Sequence, residues 1–164
     1  MLFGLVPLLM IVAGVLFGAN HTRNVDHEPD EWHVDPLRAP NTGKPNWYRL
    51  LPADATIDRD PDRDGHPPTF QVSVEDLSVA FDEVALGDDR VEIVAGSAAS
   101  GHVTYVQRSK VFGFPDYVSV RFIPLPEGGS TLSAYSRARF GQSDLGVNQK
   151  RVERWMNEVA ARLR

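Results

Sequence analysis

Cysteine is absent from all 164 residues of the sequence. Its absence excludes disulfide bonds, thiolate metal sites and cysteine nucleophiles. An excess of basic residues is also lacking, since the net charge at pH 7 is −5, and this argues against nucleic acid as a partner. The chain must therefore fold on a hydrophobic core alone, which a domain of about 100 residues is large enough to build.

The sequence also lacks motifs that are typical of a particular enzymatic reaction. The sequence has no Gly-x-Ser-x-Gly, no His-Glu-x-x-His and no phosphate-binding glycine loop. His102 is the single histidine after residue 68, and at the start of a strand we expect it to be exposed rather than catalytic. The sequence therefore favours a protein that is not an enzyme and has no cofactor or metal; an enzyme of unknown class is an alternative.

Charged side chains are missing from residues 1–19, MLFGLVPLLMIVAGVLFGA. As a helix this run would span about 28 Å, close to the hydrocarbon thickness of a bilayer. We predict a single-pass transmembrane anchor. The alternative is a cleaved signal peptide, which is disfavoured because no Lys or Arg precedes the run and Phe17 stands where a small residue is needed. Arg23 is the only nearby cation, and we expect the domain on the outer, periplasm-like side.

Residues 20–68 are predicted to be a linker. They hold eight prolines, which fix φ and remove backbone donors, so the segment should be extended or looped. The charge run 58–64, DRDPDRD, is predicted to be solvated. Tryptophans are unusual in disordered sequence, so Trp32 and Trp47 are expected to dock on the domain or lie at the membrane interface.

Three histidines recur every six residues in this part of the chain, at His21, His27 and His33. Imidazoles among carboxylates are competent metal ligands. However, the spacing matches neither one helix face nor an established arrangement of ligands. We therefore predict solvated histidines and no metal.

Residues 69–164 are predicted to form an α+β domain. Ser73 is suited to cap a helix over 75–86, and an apolar stripe from Val152 to Leu163 predicts a final helix. Between the two helices, alternating residues predict an antiparallel four-stranded meander, or a five-stranded one if Thr69–Val74 adds an edge strand. Only one face of each strand is consistently apolar, so both helices should pack on that face.

The opposite face of the predicted sheet is rich in arginine and tyrosine. We call it the Arg/Tyr face, and it comprises Tyr117, Ser119, Arg121, Ser133, Tyr135, Arg137 and Arg139. Arginine and tyrosine suit the recognition of an anionic or planar partner. In the alternative interpretation, carboxylates and docked aromatic side chains of the linker cover this face.

Charge is unevenly divided along the sequence. Residues 1–101 carry 17 acidic and 7 basic side chains, a net charge of −10, whereas residues 102–164 carry 5 acidic and 10 basic ones, a net charge of +5. Two interpretations remain open. The acidic front half complements the basic back half within the molecule, or the back half presents a surface to an anionic partner.

Two segments of the domain carry an unusual pattern. Residues 136–152 have the sequence SRARFGQSDLGVNQKRV, and residues 112–122 have the sequence FGFPDYVSVRF. They resemble the family called domain of unknown function 1499, over roughly Phe70 to Leu163. The resemblance implies one domain with a membrane segment before it, and it carries over no activity.

The motif also has a physical interpretation. Asp144 or Ser143 is predicted to cap the final helix through backbone N–H groups. Gly141 permits the turn out of the last strand, and Gly146 and Asn148 are placed in the first turn of the helix. These residues therefore predict a clamp between the last strand and the last helix.

The arginines of the motif leave a second interpretation open. Arg137, Arg139 and Arg151 are expected to bind Asp144, Asp116 or the anion of a ligand. The candidate binding residues are Arg121, Tyr135, Arg137, Arg139 and Arg151. We therefore predict a membrane-anchored accessory domain at the cell envelope that binds a membrane or envelope protein or an anionic lipid. The alternative is a lipid or small-molecule binding domain with a pocket between the sheet and the C-terminal helix.

Overall fold

The computed structural model describes Thr22 and residues 25–164. The predicted membrane anchor, residues 1–19, lies outside these described residues. No helix within them is long and apolar enough to cross a bilayer. The anchor therefore stays a prediction from the sequence.

One sheet organises the described part of the chain. Its six strands are β1 (Trp47–Leu50), β2 (Asp64–Gly65), β3 (Val91–Ser97), β4 (His102–Arg108), β5 (Pro115–Pro124) and β6 (Ser130–Ala138). Their spatial order is β2-β1-β6-β5-β4-β3. Every pair of neighbours is antiparallel except β1 and β2, which are parallel. The α+β class and the antiparallel meander from β3 to β6 are confirmed.

The predicted number of strands is wrong. Two strands, β1 and β2, come from the segment predicted to be a linker, and β1 pairs with β6 along its whole length. The sequence of β1, WYRL, does not alternate between apolar and polar residues, so it lacks the pattern that identified β5 and β6. The proposed fifth strand at Thr69–Val74 is reduced to a single bridge between Phe70 and Ser130.

Three helices lie within residues 25–164: α1 (Pro29–Trp32), α2 (Val74–Gly87) and α3 (Val147–Arg162). The helix predicted over 75–86 is confirmed as α2. The Ser73 hydroxyl accepts a hydrogen bond from the backbone N–H of Asp76 at 3.0 Å, as expected of an N-cap. Helix α3 begins after Gly146, whose φ of +77° lies in the left-handed region.

The main core lies between the two long helices and one face of the sheet. At its centre, the ring of Trp155 on α3 lies 5.9 Å from that of Phe81 on α2 and 6.0 Å from that of Tyr105 on β4. Leu77, Leu132 and neighbouring apolar side chains complete this cluster. The packing of both helices on a single face leaves the Arg/Tyr face on the other side.

Candidate binding site

A segment of the chain itself covers the Arg/Tyr face. We call residues 25–40 the strap, and it includes α1. Its Trp32 and Ala39 are only 6% and 2% exposed. Beneath it, Tyr117 and Tyr135 are buried almost completely. The expected docking of Trp32 on the domain is therefore confirmed, and the Arg/Tyr face is not open to solvent in this conformation.

Trp32 is the centre of the contact between strap and sheet. Its ring stacks on that of Tyr117, with 3.9 Å between the centroids and 16° between the planes. On the sheet face, the guanidinium of Arg137 lies 4.5 Å from the Trp32 ring centre, and that of Arg139 lies 5.4 Å away. The Arg/Tyr face thus holds an indole by stacking and cation–π attraction together.

The remaining strap contacts use mainly its backbone carbonyl groups. The donors, acceptors and distances are Ser119 Oγ to Trp32 O, 3.1 Å; Arg137 Nη2 to Glu31 O, 2.6 Å; Arg139 Nη1 to Asp26 O, 2.7 Å; and His102 Nε2 to Val34 O, 3.0 Å. Every residue has a carbonyl group, so these bonds require a particular backbone path of the strap but do not require particular side chains in it.

One ion pair joins the strap to the face. The Asp35 carboxylate lies 3.4 Å from Nη2 of Arg121, and both side chains are partly exposed. An exposed pair of this kind contributes about 0–1 kcal/mol to stability. The pair therefore positions the strap more than it stabilises it.

His27 lies between two groups of the sheet. Its Nδ1 is 2.8 Å from the Tyr117 hydroxyl, and its Nε2 is 2.7 Å from Nη2 of Arg108. Since the guanidinium can only donate, Nε2 accepts and carries no proton. Burial and the neighbouring Arg108 charge lower the pKa of His27.

His33 and His102 stack face to face with 3.8 Å between ring centres. Nδ1 of His33 lies 2.8 Å from the Thr104 hydroxyl. Gly96 makes room for this arrangement, because a Cβ there would lie 2.9 Å from Cε1 of His33. Burial and the nearby Arg121 lower the pKa of His33, and burial also lowers the pKa of His102. The predictions of solvated histidines in the strap and of an exposed His102 are wrong.

The strap should loosen in mild acid. His27, His33 and His102 have a lower pKa in the folded protein than the usual value of about 6.5, so the unfolded chain binds more protons just below that pH. Their contribution to stability is full above about pH 6.5 and is lost as the pH falls through the folded pKa values. We expect the urea midpoint to be lower at about pH 5.5 than at about pH 7.5.

Glutamine variants provide the control for this prediction. His33→Gln combined with His102→Gln should reduce the pH dependence of the urea midpoint. The exposed His66 lies away from the strap, so His66→Gln should leave the dependence unchanged. Equal pH dependence in all three proteins would contradict the assignment.

Four nitrogen donors at this interface lack a hydrogen-bond partner among the described residues. They are Nε1 of Trp32, Nε1 of Trp47, Nε of Arg121 and Nε of Arg137. A buried donor without a partner costs about 1–3 kcal/mol. Binding of the strap to the Arg/Tyr face therefore leaves some hydrogen-bond donors without an acceptor.

The helix-side face carries a second polar cluster, built by the motif of residues 136–152. Asp144 accepts hydrogen bonds from the backbone N–H and the side-chain amide of Asn148, at 2.8 and 2.6 Å. The amide oxygen of Asn148 accepts from the Ser136 hydroxyl on β6 at 2.6 Å, and its nitrogen donates to the Asn46 carbonyl at 3.1 Å. These bonds join the last strand, β1 and the last helix.

Arg151 completes the polar cluster. Its guanidinium pairs with Asp116 at 2.7 Å and donates to Ser136 and Asn148 at 3.1 and 2.8 Å. Burial raises the pKa of Asp116, although the Arg151 charge opposes the rise. Arg151 is only 6% exposed, and its donors bond to groups within the fold.

The sequence-predicted site residues thus fall into two separate groups. Arg121, Tyr135, Arg137 and Arg139 lie together under the strap, whereas Arg151 lies on the helix-side face. In the loop before α3, the Ser143 hydroxyl accepts from the Leu145 N–H at 3.2 Å, and Gly141 and Gly146 both have positive φ. Asn148 lies in the first turn of α3, as predicted, whereas Gly146 precedes the helix and does not belong to that turn. The clamp and a ligand role for the motif stay predictions.

A buried ion pair was missed by the sequence predictions. Arg49 on β1 and Asp64 on β2 lie 2.7 Å apart, and each side chain is 1% exposed. Asp64 belongs to the charge run that we predicted to be solvated, which is wrong for this residue. The signal was an arginine inside the apolar segment Trp47–Leu51, since a buried arginine needs a carboxylate.

Several open grooves of about 420–510 Å³ lie on the described part of the chain, and one of them lies at the position predicted for a pocket between the sheet and the C-terminal helix. It measures about 450 Å³ and lies between β1 and α3, lined by Tyr48, Leu50, His66, Pro68, Glu153, Met156, Asn157 and Ala160. Across Thr22 and residues 25–164, no cluster of three or more histidine or carboxylate side chains is arranged to hold a metal.

Comparison with known proteins identifies one family. The sequence model of the family described as "Protein of unknown function (DUF1499)" matches residues 37–159. The matched region contains the six-stranded sheet, α2 and most of α3, and it starts inside the strap. No curated protein matches the chain.

Proposed function

This chain belongs to the DUF1499 family, which brings no activity with it, and we propose from its geometry that it is a membrane-tethered binding domain. In this proposal the Arg/Tyr face receives a short segment of a partner protein in place of the strap. The domain acts as an accessory at the cell envelope, on the outer side of the membrane. Residues 1–19 serve as the tether.

The proposal rests on the contacts of the Trp32 ring with Tyr117 and Arg137. An indole between the Tyr117 ring and the Arg137 guanidinium has the stacking geometry with which proteins bind aromatic anchors. Here the anchor belongs to the same chain. The strap therefore serves as an internal example of the segment that the face accepts.

The chemistry of the face specifies the partner segment. It should contain an aromatic residue followed three positions later by a carboxylate, as Trp32 is followed by Asp35. Its backbone carbonyls would accept from Ser119, Arg137 and Arg139, as those of the strap do. Further acceptors on the segment would satisfy the Nε donors of Arg121 and Arg137, which have no partner among the described residues. The partner is therefore an acidic, aromatic peptide segment.

A synthetic peptide tests whether the face accepts a segment from another molecule. The peptide EPDEWHVDPL copies residues 28–37. The full-length Trp32→Ala, Asp35→Ala variant has a weakened strap, and we expect it to bind the peptide more tightly than the wild-type protein does. Fluorescence anisotropy of a labelled peptide in mild detergent measures the difference.

Arginine variants separate the face from nonspecific attraction. Adding Arg137→Ala to the weakened-strap protein should reduce peptide affinity about tenfold or more, because it removes a cation–π contact and a charged hydrogen bond. Arg162→Ala, at an exposed arginine on α3, should have no effect. Equal binding by both arginine variants, or no binding to the weakened-strap protein, would contradict the proposed function.

The groove between β1 and α3 supports a second candidate function, the binding of a lipid or small molecule. Its volume of about 450 Å³ and its mixed lining, with Leu50, Met156 and Ala160 beside His66, Glu153 and Asn157, suit a small amphipathic ligand. Native mass spectrometry of the full chain, extracted from native membranes, should then show additional bound mass. Ala160→Trp should remove that mass by filling the groove, whereas Val79→Trp, on the exposed surface of α2, should not. A clean mass for the wild-type protein would contradict this function.

A further inference from the structure

Exposed apolar side chains are concentrated at one end of the sheet. Eight large hydrophobic residues are exposed in the described part of the chain, and five of them lie in the loops 109–114 and 139–147. Leu145 is 86% exposed and Val111 is 66% exposed. We call this surface the end patch, and it comprises Val111, Phe112, Phe114, Phe140, Leu145 and Val147. A concentration of exposed apolar side chains at one end of a domain is typical of an interaction surface.

The loop that carries the two phenylalanines has a defined conformation. The Ser109 N–H donates to the Phe114 carbonyl at 2.9 Å, and the Phe114 N–H donates to the Ser109 hydroxyl at 2.9 Å. The rings of Phe112 and Phe114 stack 5.4 Å apart, and Phe140 lies 5.8 Å from Phe114. The loop therefore presents a fixed aromatic surface.

Leu145 has a strained backbone conformation and an exposed side chain. Its φ of +53° lies in the left-handed region, which costs a residue with a Cβ about 1–2 kcal/mol. A leucine in this conformation, with its side chain in solvent, has no explanation in the packing of the domain. Such strained residues concentrate at functional surfaces.

Thr22, which closely follows the N-terminal apolar run in the sequence, contacts the end patch. The Thr22 hydroxyl donates to the Phe112 carbonyl at 2.7 Å, and Nη1 of Arg108 donates to the Thr22 carbonyl at 3.2 Å. Thr22 follows Ala19, the last residue of the apolar run, by three positions in the sequence. If residues 1–19 cross the bilayer as proposed, this end of the domain would be held at the membrane, because three positions of chain extend at most about 11 Å.

We propose that the end patch inserts into the interface of the lipid bilayer and holds the domain against the membrane. This inference rests on the membrane tether of the proposed function and adds a second, independent contact. Aromatic side chains are favoured at the level of the lipid headgroups. The charged side chains of 108–114 and 139–147 are Arg108, Lys110, Arg139 and Asp144, three basic and one acidic, and Asp144 is engaged with Asn148. The net positive charge suits an anionic lipid surface.

Membrane contact at this end fixes the position of the Arg/Tyr face. Strand β5 starts at Pro115 beside the patch and has ten residues, so it extends about 30 Å away from the bilayer if it stands upright. Tyr117 and Arg139 would then lie near the membrane, and Arg121 farther out. A partner segment would approach the face from the side, parallel to the membrane.

Spin labels measure the depth of the patch directly. Because the chain has no native cysteine, Phe112→Cys and Leu145→Cys each give a single labelling site in the full-length protein. The variants are reconstituted into nanodiscs that contain anionic lipid. We expect a ratio of accessibility to oxygen over accessibility to a water-soluble nickel complex several-fold higher at both sites than at Val79→Cys, a matched exposed apolar position on α2.

The possible outcomes are distinguishable. Flotation of the protein with lipid vesicles tests the tether alone, and its failure would contradict the membrane part of the proposed function. If flotation succeeds and both labels are as accessible to nickel as the Val79 label, the end patch does not contact lipid. Shielding from both reagents would show that protein covers the patch, either residues 1–19 or a second copy, and would also overturn the inference.

A charge variant gives a second test. Leu145→Asp should lower the immersion of a label at Phe112, since burying a carboxylate in lipid is unfavourable. Leu145 is the most exposed apolar residue of the patch, so this change should leave the fold intact. Val79→Asp is the matched control and should leave the label at its original depth.

Discussion

Replacing Arg151 with methionine is expected to destabilise the protein by about 3–5 kcal/mol, because it leaves a mostly buried carboxylate without its cation. Asp116 would lose the 2.7 Å ion pair, and Ser136 and Asn148 would each lose a donor. Burial already raises the pKa of Asp116, and Arg151 is the charge that opposes the rise. Urea unfolding of the full chain in mild detergent, followed by tryptophan fluorescence, measures the loss.

The adjacent lysine provides the control for this variant. Lys150→Met changes the same kind of charge one position earlier on the same helix, where the side chain is exposed. It should change the free energy of unfolding by no more than about 0.5 kcal/mol. Adding Asp116→Leu to Arg151→Met should restore part of the loss, because the unpaired carboxylate is removed. If Arg151→Met were as mild as Lys150→Met, the cluster would not be a structural clamp.

The second large effect is expected from Asp64→Ala. This change leaves the Arg49 guanidinium, 1% exposed, without a carboxylate, and the cost should again be about 3–5 kcal/mol. Asp64 also accepts from the backbone N–H of Asp60 at 2.8 Å, so the turn before β2 would lose its anchor. The same urea experiment measures the change in the free energy of unfolding.

Asp62 is the matched control for Asp64. It belongs to the same charge run, and its side chain is exposed. Asp62→Ala should therefore have a small effect, within about 0.5 kcal/mol. A similar loss in both variants would indicate that the run stabilises the fold through its overall charge and not through the single pair with Arg49.

The parts of the fold that were predicted correctly have a local periodic pattern. Helix α2 and strands β3 to β6 show their apolar faces within a few consecutive residues. Strand β1 has no such pattern, since its sequence WYRL does not alternate between apolar and polar residues, and β2 has only two residues. Strand β1 pairs with residues of β6 that lie more than 80 positions later in the chain, and β2 pairs with β1. Propensity and periodicity in one segment do not specify such a pairing.

The candidate site was predictable to a similar extent. Alternation along β5 and β6 located Tyr117, Tyr135 and Arg137 on one face, and Trp32 indicated that the strap docks. The stack of His33 on His102 was missed, because these residues are 69 positions apart and neither belongs to a motif. The bonds to strap carbonyls were also unpredictable, since the acceptor exists in every residue.

The pairing of β1 with β6 also has a consequence for folding, because β1 can join the sheet only after β6 has been synthesised. Residues 47–50 leave the ribosome long before residues 134–137, with which they pair. Until β6 exists, the early segment has no sheet to join, and the tryptophans at 32 and 47 remain without their burial sites. Contacts of such long sequence separation form slowly and leave apolar surface exposed in the meantime. The newly made chain is therefore expected to depend on chaperones until its last fifth is complete.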